Sequence, residues 1–215
     1  MRAPRTGTAQ EGYLGMSRRY YTWAARASRG IACLLLVVLP LTVQAEEMPV
    51  PANIQVPLIL KILTFDRNFS HKITSSLCIG IVYDPLNPVS HQAKTEIAQT
   101  LEQYTTKTIR QLPIKYVSLE YSGEQPLDEI ASVNDINVFY IMPGTAEYLP
   151  ALLRVSQAHQ ITTVTGVPDY VEQGVAVGIG VKKNRKPGIL INLPASKSQG
   201  NAFEANLLRL AVVVH

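Results

Sequence analysis

Three polar residues follow apolar runs of strand length, where ligand-binding groups of α/β proteins are often found. They are Asp84, Thr145 and Asp169. In a doubly wound sheet, ligands bind beyond the carboxyl ends of the strands, at the switch in strand order. We therefore predict a rim of these three residues that could hydrogen-bond a small polar solute. Asp and Thr are also ordinary loop residues, so the alternative is that they only turn the chain.

The sequence lacks the usual catalytic motifs. It has no G-x-S-x-G elbow, no H-E-x-x-H, no P-loop lysine and no Cys-x-x-Cys. Gly178-Ile179-Gly180 lacks the third glycine of a dinucleotide fingerprint and lies inside a predicted strand. The histidines are scattered, without carboxylates at metal-ligand spacing: His71, His91, His159 and His215. We predict no enzyme activity, no cofactor and no metal.

The first 45 residues have the pattern of a secretory signal peptide. Arg18, Arg19, Arg26 and Arg29 precede the apolar core Cys33–Leu39, and Val43-Gln44-Ala45 is a cleavage signature. The core is shorter than the roughly 20 residues that span a bilayer, which favours a cleaved signal peptide over the alternative, an uncleaved anchor. We predict translation from Met16, cleavage after Ala45, a loose lead-in at 46–56 and one domain at 57–215.

Cleavage changes the charge and the cysteine content. The whole chain has 20 Lys and Arg against 16 Asp and Glu, but residues 46–215 have 14 against 15, a net charge of −1. Nucleic acid is therefore not an expected partner. Cys78 alone remains and lies in an apolar run, which favours a buried thiol over a redox or dimer-bridging role.

Helical and strand patterns alternate along the rest of the chain. We predict a first helix at 57–69, a long helix capped by Ser90, and a final amphipathic helix with Phe203, Leu207, Leu210 and Val214 on one face. Between them lie further helices and six strands, at 77–83, 113–121, 138–142, 161–165, 175–181 and 189–193. This order predicts a single-domain, doubly wound α/β fold: a mostly parallel sheet with helices on both faces and an antiparallel C-terminal edge hairpin.

The turn of that hairpin carries the strongest charge run in the sequence. It comprises Lys182, Lys183, Arg185 and Lys186. A solvated hairpin tip is the simpler interpretation, and a partner or polyanion site is the alternative.

Several segments resemble the YfiR family of periplasmic proteins. They are 61–68 in the first helix, 79–83 and 163–166 in strands, and the closing 189–195 and 206–211. The resemblance implies a periplasmic α/β protein without enzyme activity. It also implies dimerisation and binding to the periplasmic sensory domain of a membrane-bound diguanylate cyclase, which lowers cyclic di-GMP synthesis and affects biofilm.

One feature departs from that family. Redox-responsive YfiR-like repressors use pairs of cysteines, and Cys78 has no partner in residues 46–215. Redox gating by an internal disulfide is therefore not expected. The resemblance favours a regulator that meets the membrane only through its protein partner, and a periplasmic solute-binding module is the alternative hypothesis.

Overall fold

The computed structural model describes residues 47–214. The predicted signal peptide and start codon therefore lie outside the described residues, as does His215. Within 47–214, no helix combines the length and the apolar character needed to cross a membrane.

Eight strands form one open sheet. Their order across the sheet is β2-β3-β1-β4-β5-β6-β7-β8. The strands are β1 (Leu77–Tyr83), β2 (Thr108–Ile109), β3 (Leu112–Glu120), β4 (Val138–Ile141), β5 (Thr162–Thr165), β6 (Val177–Val181), β7 (Pro187–Asn192) and β8 (Val212–Val214).

Eight helices connect or flank these strands. They are α1 (Ala52–Leu63), α2 (Phe69–Lys72), α3 (Pro88–Glu102), α4 (Leu127–Val133), α5 (Leu149–Ala158), α6 (Pro168–Glu172), α7 (Leu193–Ser198) and α8 (Ala205–Leu210). A 3-10 turn at Ala146–Tyr148 precedes α5.

The predicted fold class is confirmed. Strands β3, β1, β4, β5 and β6 are parallel neighbours, and β6 and β7 form the predicted antiparallel hairpin with Val177 opposite Ile191. The parallel order corresponds to the flavodoxin-like doubly wound arrangement. The strand order reverses between β1 and β4, so the switch point lies beyond their carboxyl ends.

A hydrophobic core lies on each side of the sheet. Ile79 and Ile81 of β1 belong to the core that includes residues of α1 and α3. Cys78 and Val82, the alternate residues of the same strand, belong to the core that includes residues of α4 and α5. Because successive side chains of a strand point to opposite faces, a nearly all-apolar strand such as β1 must be covered on both.

The predicted loose lead-in at 46–56 is wrong from Val50 onward. Helix α1 begins at Ala52, and Val50 and Val56 are 2% and 1% exposed. Pro57 lies inside the helix instead of starting it. The cost of an interior proline is one lost hydrogen bond and local strain, which the burial of the first turns offsets. The predicted helix at 57–69 is also divided, because α1 ends at Leu63 and α2 is separate.

The predicted amphipathic helix at the end of the chain is also wrong in its extent. Helix α8 ends at Leu210, and Val212–Val214 pair in parallel with β7 as an edge strand. Three consecutive β-branched residues favour strand geometry, although Val214 fits the helical spacing of Phe203 and Leu207 equally well. A short apolar run does not distinguish the two structures by spacing alone.

Candidate functional site

The loop after β1, at the switch point, is held by its own hydrogen bonds. The Asp84 carboxylate accepts a hydrogen bond from the Leu86 N–H at 2.8 Å, and the Asp84 N–H donates to Ser90 Oγ at 3.0 Å. The Asn87 side chain accepts from the N–H groups of Val89 and Ser90 at 3.0 and 3.2 Å. Asn87 is therefore the N-cap of α3, and not Ser90 as predicted.

The other two predicted rim residues differ in exposure. Thr145 is fully buried; its hydroxyl donates to the Met142 carbonyl at 2.8 Å and its N–H donates to the Tyr170 hydroxyl at 3.0 Å. Asp169 is exposed in the first turn of α6. All three rim residues follow parallel strands and therefore lie beyond the carboxyl ends of those strands, with Thr145 buried beneath the surface.

A small cavity with a volume of about 230 Å³ opens at the carboxyl ends of the strands. It combines two carboxylates with apolar side chains, which suits a small solute bearing a positive charge. None of the three predicted rim residues lines it. The lining residues are Glu47, Met48, Val89, Gln92, Ala93, Glu96 and Pro143.

A second group of polar contacts joins residues 65–72, which follow α1 and include α2, to residues 199–204, which lie between α7 and α8. We call these two segments the clasp. Asp66 is 3% exposed, and its carboxylate accepts hydrogen bonds from the N–H groups of Asn68 at 3.0 Å and Ala202 at 2.8 Å. A buried carboxylate needs such donors, because it loses its hydration on folding.

Backbone groups complete the clasp. The Arg67 N–H donates to the Ala202 carbonyl at 3.1 Å, and the Glu204 N–H donates to the Phe65 carbonyl at 3.0 Å. These bonds flank an isolated antiparallel bridge between Asp66 and Phe203. Two segments more than 130 residues apart in sequence thus pair as a minimal sheet.

Lys72 lies at the centre of the polar contacts of the clasp. Its Nζ donates to Thr162 Oγ1 at 2.9 Å, to the Gln199 carbonyl at 2.9 Å and to Asn201 Oδ1 at 2.6 Å. Desolvation by burial lowers the pKa of Lys72 from 10.5 to about 8, and the negative charge of Asp66 acts in the opposite direction. Lys72 therefore links the two segments of the clasp to each other and to β5.

The clasp also reaches the centre of the sheet. The side-chain carbonyl of Gln199 accepts hydrogen bonds from the Thr163 N–H at 2.8 Å and from the Thr163 hydroxyl at 3.0 Å. The Thr163 Oγ1 in turn accepts from the Ala176 N–H at 2.9 Å. Asn192, just before α7, accepts from the Ala195 N–H and donates to the Val171 carbonyl. The side-chain amides of Asn192 and Gln199 thus attach the C-terminal part of the chain to α6 and β5.

A polar cleft of about 460 Å³ lies at the amino ends of the strands, opposite the rim. Lys72, Ser75, Asn137 and His159 are among the residues that line it. Asn137 has a structural role, because its side-chain carbonyl accepts the Cys78 N–H at 2.8 Å. His159 lies 3.0 Å from Asp128, and both are too exposed for the pair to add much stability.

The described residues show no cluster of metal ligands. Within 47–214, no three His, Cys, Asp or Glu side chains are grouped as metal ligands. Cys78 is a free thiol, 4% exposed, and burial raises its pKa. A buried, protonated thiol is a poor nucleophile, in agreement with the predicted structural role of Cys78.

The strand order and its switch point define the class of this protein as a doubly wound α/β domain. The chain belongs to the YfiR/HmsC-like family, whose model matches residues 74–212. It is a family of periplasmic regulators. No curated protein matches the sequence.

Two solved structures are similar to the chain in fold. A conserved domain protein from Vibrio cholerae shares 14% identity, with a TM-score of 0.56, over 77% of this chain and 60% of the other. An ABC domain from Streptococcus pneumonia in complex with L-Trp shares 15% identity, with a TM-score of 0.53, over 76% and 60%. The chain thus spans about 60% of the length of each structure.

The clasp is not visible in the sequence. Residues 61–68 and the segments 189–195 and 206–211 carry separate resemblances to a family, and nothing in their patterns indicates that the first segment contacts the C-terminal part of the chain. A polar residue beside an apolar helix, such as Lys72, resembles an ordinary surface residue in the sequence. Its role becomes visible only from Thr162, Gln199 and Asn201, which lie far along the chain.

Proposed function

We propose that this protein is a periplasmic regulator that inhibits a membrane-bound diguanylate cyclase by contact with its periplasmic sensory domain. The observation that carries the proposal is the family match over residues 74–212. Export with a cleaved signal peptide at 1–45 and the capacity to form a homodimer are parts of the same proposal. The membrane is reached through the partner.

The mechanism follows from linkage. A bound regulator changes the activity of a sensor domain only if it binds one conformation more tightly than another. Inhibition therefore requires tighter binding to the conformation in which the cyclase is inactive. The rigid, two-core fold suits such a role, since a preformed surface loses little entropy on binding.

Deletion of the gene is expected to raise cellular cyclic di-GMP, because the cyclase loses its inhibitor. Cyclic di-GMP would be measured by mass spectrometry of cell extracts, beside biofilm mass. Expression of the full-length chain from a plasmid should restore the original level. A chain without residues 1–45 remains in the cytoplasm and should not restore it. If deletion leaves both quantities unchanged, the cyclase proposal is abandoned.

A second candidate function is the binding of a small solute. The cavity of about 230 Å³ beside the switch point favours it, and the rim of Asp84, Thr145 and Asp169, which lies at the same ends of the strands but outside the cavity wall, is proposed to contribute from there. The similar streptococcal domain was solved in complex with L-Trp, so amino acids are natural first compounds to test.

A solute that binds here is expected to raise the melting temperature of the protein. A ligand present at 100 times its dissociation constant stabilises a protein by about 2.7 kcal/mol. Thermal shift across amino acids, amines and sugars measures the effect. Glu96→Gln, in the cavity wall, should abolish the shift, whereas Glu129→Gln, exposed on α4, should preserve it. A panel without any shift would count against this function.

A further inference from the structure

Both edges of the sheet leave backbone groups unpaired among the described strands. At one edge, β2 (Thr108 and Ile109) pairs only with Leu112 and Pro113, so residues 114–120 of β3 face no further strand on that side, but this stretch carries the exposed charges of Lys115 and Glu120. At the opposite edge, β8 pairs only with β7 among the described strands, with Leu190 opposite Val212 and Asn192 opposite Val214. The outer backbone groups of β8 therefore face no strand in residues 47–214. Such an edge is a template for another chain.

The side chains around β8 do not protect this edge. Natural edge strands usually carry charged residues, prolines or bulges that prevent pairing, whereas β8 is Val-Val-Val. Val212 is 55% exposed, and nearby Leu210 and Val181 are 64% and 47% exposed. A groove of about 110 Å³ lies over β6 and β7 on the inner side of this edge, and Val212 lines it together with Val181 and Ile189. Contiguous exposed apolar surface of this kind marks an interaction site.

The same region carries a concentrated positive charge. Residues 168–214, from α6 onward, contain six Lys and Arg against three acids, Asp169, Glu172 and Glu204, so their net charge is +3 although residues 46–215 carry −1. The hairpin tip supplies four of these cations, all exposed, and none forms an ion pair with another described residue. Lys182 Nζ lies 3.4 Å from the Leu210 carbonyl, which places the tip next to the start of β8.

We propose that β8 and the β6–β7 hairpin tip together form a docking surface for an extended, apolar segment flanked by acidic residues on a partner protein. The segment adds to the sheet beside β8. Backbone hydrogen bonds supply affinity, the exposed Val212 packs against an apolar side chain of the added segment, and the cations at 182–186 attract the acidic flank. The inference rests on the proposed function only for the identity of the partner, the periplasmic part of a membrane signalling protein.

Two other occupants fit the observations less well. A second copy of this chain would bring two hairpin tips together, and a tip with four cations and no acid offers itself no complementary charge. An anionic lipid surface would satisfy the cations but would leave the outer backbone groups of β8 without a strand to pair with. An acidic, extended protein segment satisfies the charge, the exposed apolar side chains and the backbone together.

The test measures peptide binding by the protein purified from cells that express the full-length chain. The probe is a fluorescently labelled, capped peptide of alternating Val and Thr with two Glu at each end. Its binding to the protein is measured by fluorescence anisotropy at several salt concentrations. A second peptide has Lys in place of Glu, and a third has Pro at its centre. We expect the acidic peptide to bind at least tenfold more tightly than either, with an affinity that falls as salt rises.

Matched variants locate the site. The exposed pair Lys183→Glu and Lys186→Glu should weaken binding of the acidic peptide at least tenfold, and Val212→Ser should weaken it severalfold at every salt concentration. The pair Lys107→Glu and Lys115→Glu changes the net charge equally at exposed positions far along the sequence from the edge, and should leave binding within twofold. Circular dichroism would confirm that all variants are folded.

Three results would overturn the inference. The first is that the three peptides bind equally well or not at all, or that the affinity for the acidic peptide is the same in the Lys183→Glu/Lys186→Glu and Val212→Ser variants as in the original protein. The second is binding of phosphatidylglycerol vesicles, but not of the peptide, through Lys183 and Lys186. The third is sedimentation showing that β8 is covered by a second copy. If gene deletion leaves cyclic di-GMP unchanged but the acidic peptide binds as expected, the proposed function fails and the docking surface stands.

Discussion

A chain that begins at Pro57 is expected to lose at least about 4 kcal/mol of its free energy of unfolding relative to a chain that begins at Glu46. Burying a valine contributes roughly 1.5–3 kcal/mol, and the shorter chain lacks the buried Val50 and Val56. The cut also removes Gln55, whose side chain accepts the hydrogen bond of the Tyr140 hydroxyl at 2.8 Å. Tyr140 is 1% exposed, so its hydroxyl would remain buried without this partner.

Urea unfolding followed by circular dichroism measures this loss. A typical domain is stable by only 5–15 kcal/mol, so the chain beginning at Pro57 should be partly unfolded in buffer. Point variants separate the hydrogen bond from the lost burial. Gln55→Leu is expected to cost about 2 kcal/mol, because a buried hydroxyl and the Val50 carbonyl both lose a partner. Asn53→Leu, exposed on the same helix, should cost less than about 0.5 kcal/mol.

Equal stability of the two chains would contradict this account. It would mean that the first turns of α1 contribute nothing to the core and that the domain begins near residue 57. A loss confined to the truncated chain, with Gln55→Leu unchanged, would assign the effect to apolar burial and remove the Gln55–Tyr140 contact from the explanation.

Lys72→Met is expected to reduce the free energy of unfolding by about 2–3 kcal/mol at neutral pH. Three acceptors lose their charged donor: the Thr162 hydroxyl, the Gln199 carbonyl and the Asn201 side-chain carbonyl. Hydrogen bonds to charged groups contribute about 1.5–3 kcal/mol, and unsatisfied buried acceptors add to the loss. Met retains most of the aliphatic length of Lys, so the effect should not arise from a cavity.

The pH dependence of the same variant tests the burial of Lys72. Its folded-state pKa of about 8 lies below the 10.5 of the unfolded chain. Between these values the unfolded chain holds a proton that the folded protein has released, so stability rises with pH in this window. The difference between the original protein and Lys72→Met should therefore grow from pH 8 towards pH 10, by up to about 3 kcal/mol.

Lys197→Met is the matched control. Lys197 is exposed on α7, so the same change in charge and size should alter stability by less than about 0.5 kcal/mol and should leave the pH profile parallel to that of the original protein. If Lys72→Met and Lys197→Met behave alike in urea unfolding from pH 7 to 10, the clasp does not depend on the Lys72 hydrogen bonds.

The sequence by itself determined the fold class, because the signals for it are local. The run at 77–83 is apolar at nearly every position, and the structure contains that strand with the same bounds. The alternation of such runs with amphipathic segments left few topologies open, since parallel strands need crossover connections. The edge hairpin was likewise predictable from two short strands with a charged turn between them.

Local signals were insufficient at both ends of the domain. The first helix was predicted to begin at 57, but the burial of Val50 and Val56 against distant strands extends α1 backward. Val214 fitted the helical face of Phe203 and Leu207, but pairing with β7 makes Val212–Val214 a strand. Burial decided the first case, and sheet pairing decided the second between two structures that the spacing of apolar residues does not distinguish.

The candidate sites depended most on the tertiary structure. The sequence predicted that Asp84, Thr145 and Asp169 lie beyond the carboxyl ends of neighbouring strands, because each follows a parallel strand. It contained no sign that Thr145 is buried and already hydrogen-bonded. The clasp and the open β8 edge were not predictable in the same way. The clasp forms between segments that are distant in the chain, and the β8 edge is open because no described strand pairs with its outer side. The spacing of residues in the sequence encodes neither feature. The sequence thus determined the layers of this protein, and only the folded chain decided which polar groups face each other and that an uncharged apolar strand lies at an edge of the sheet.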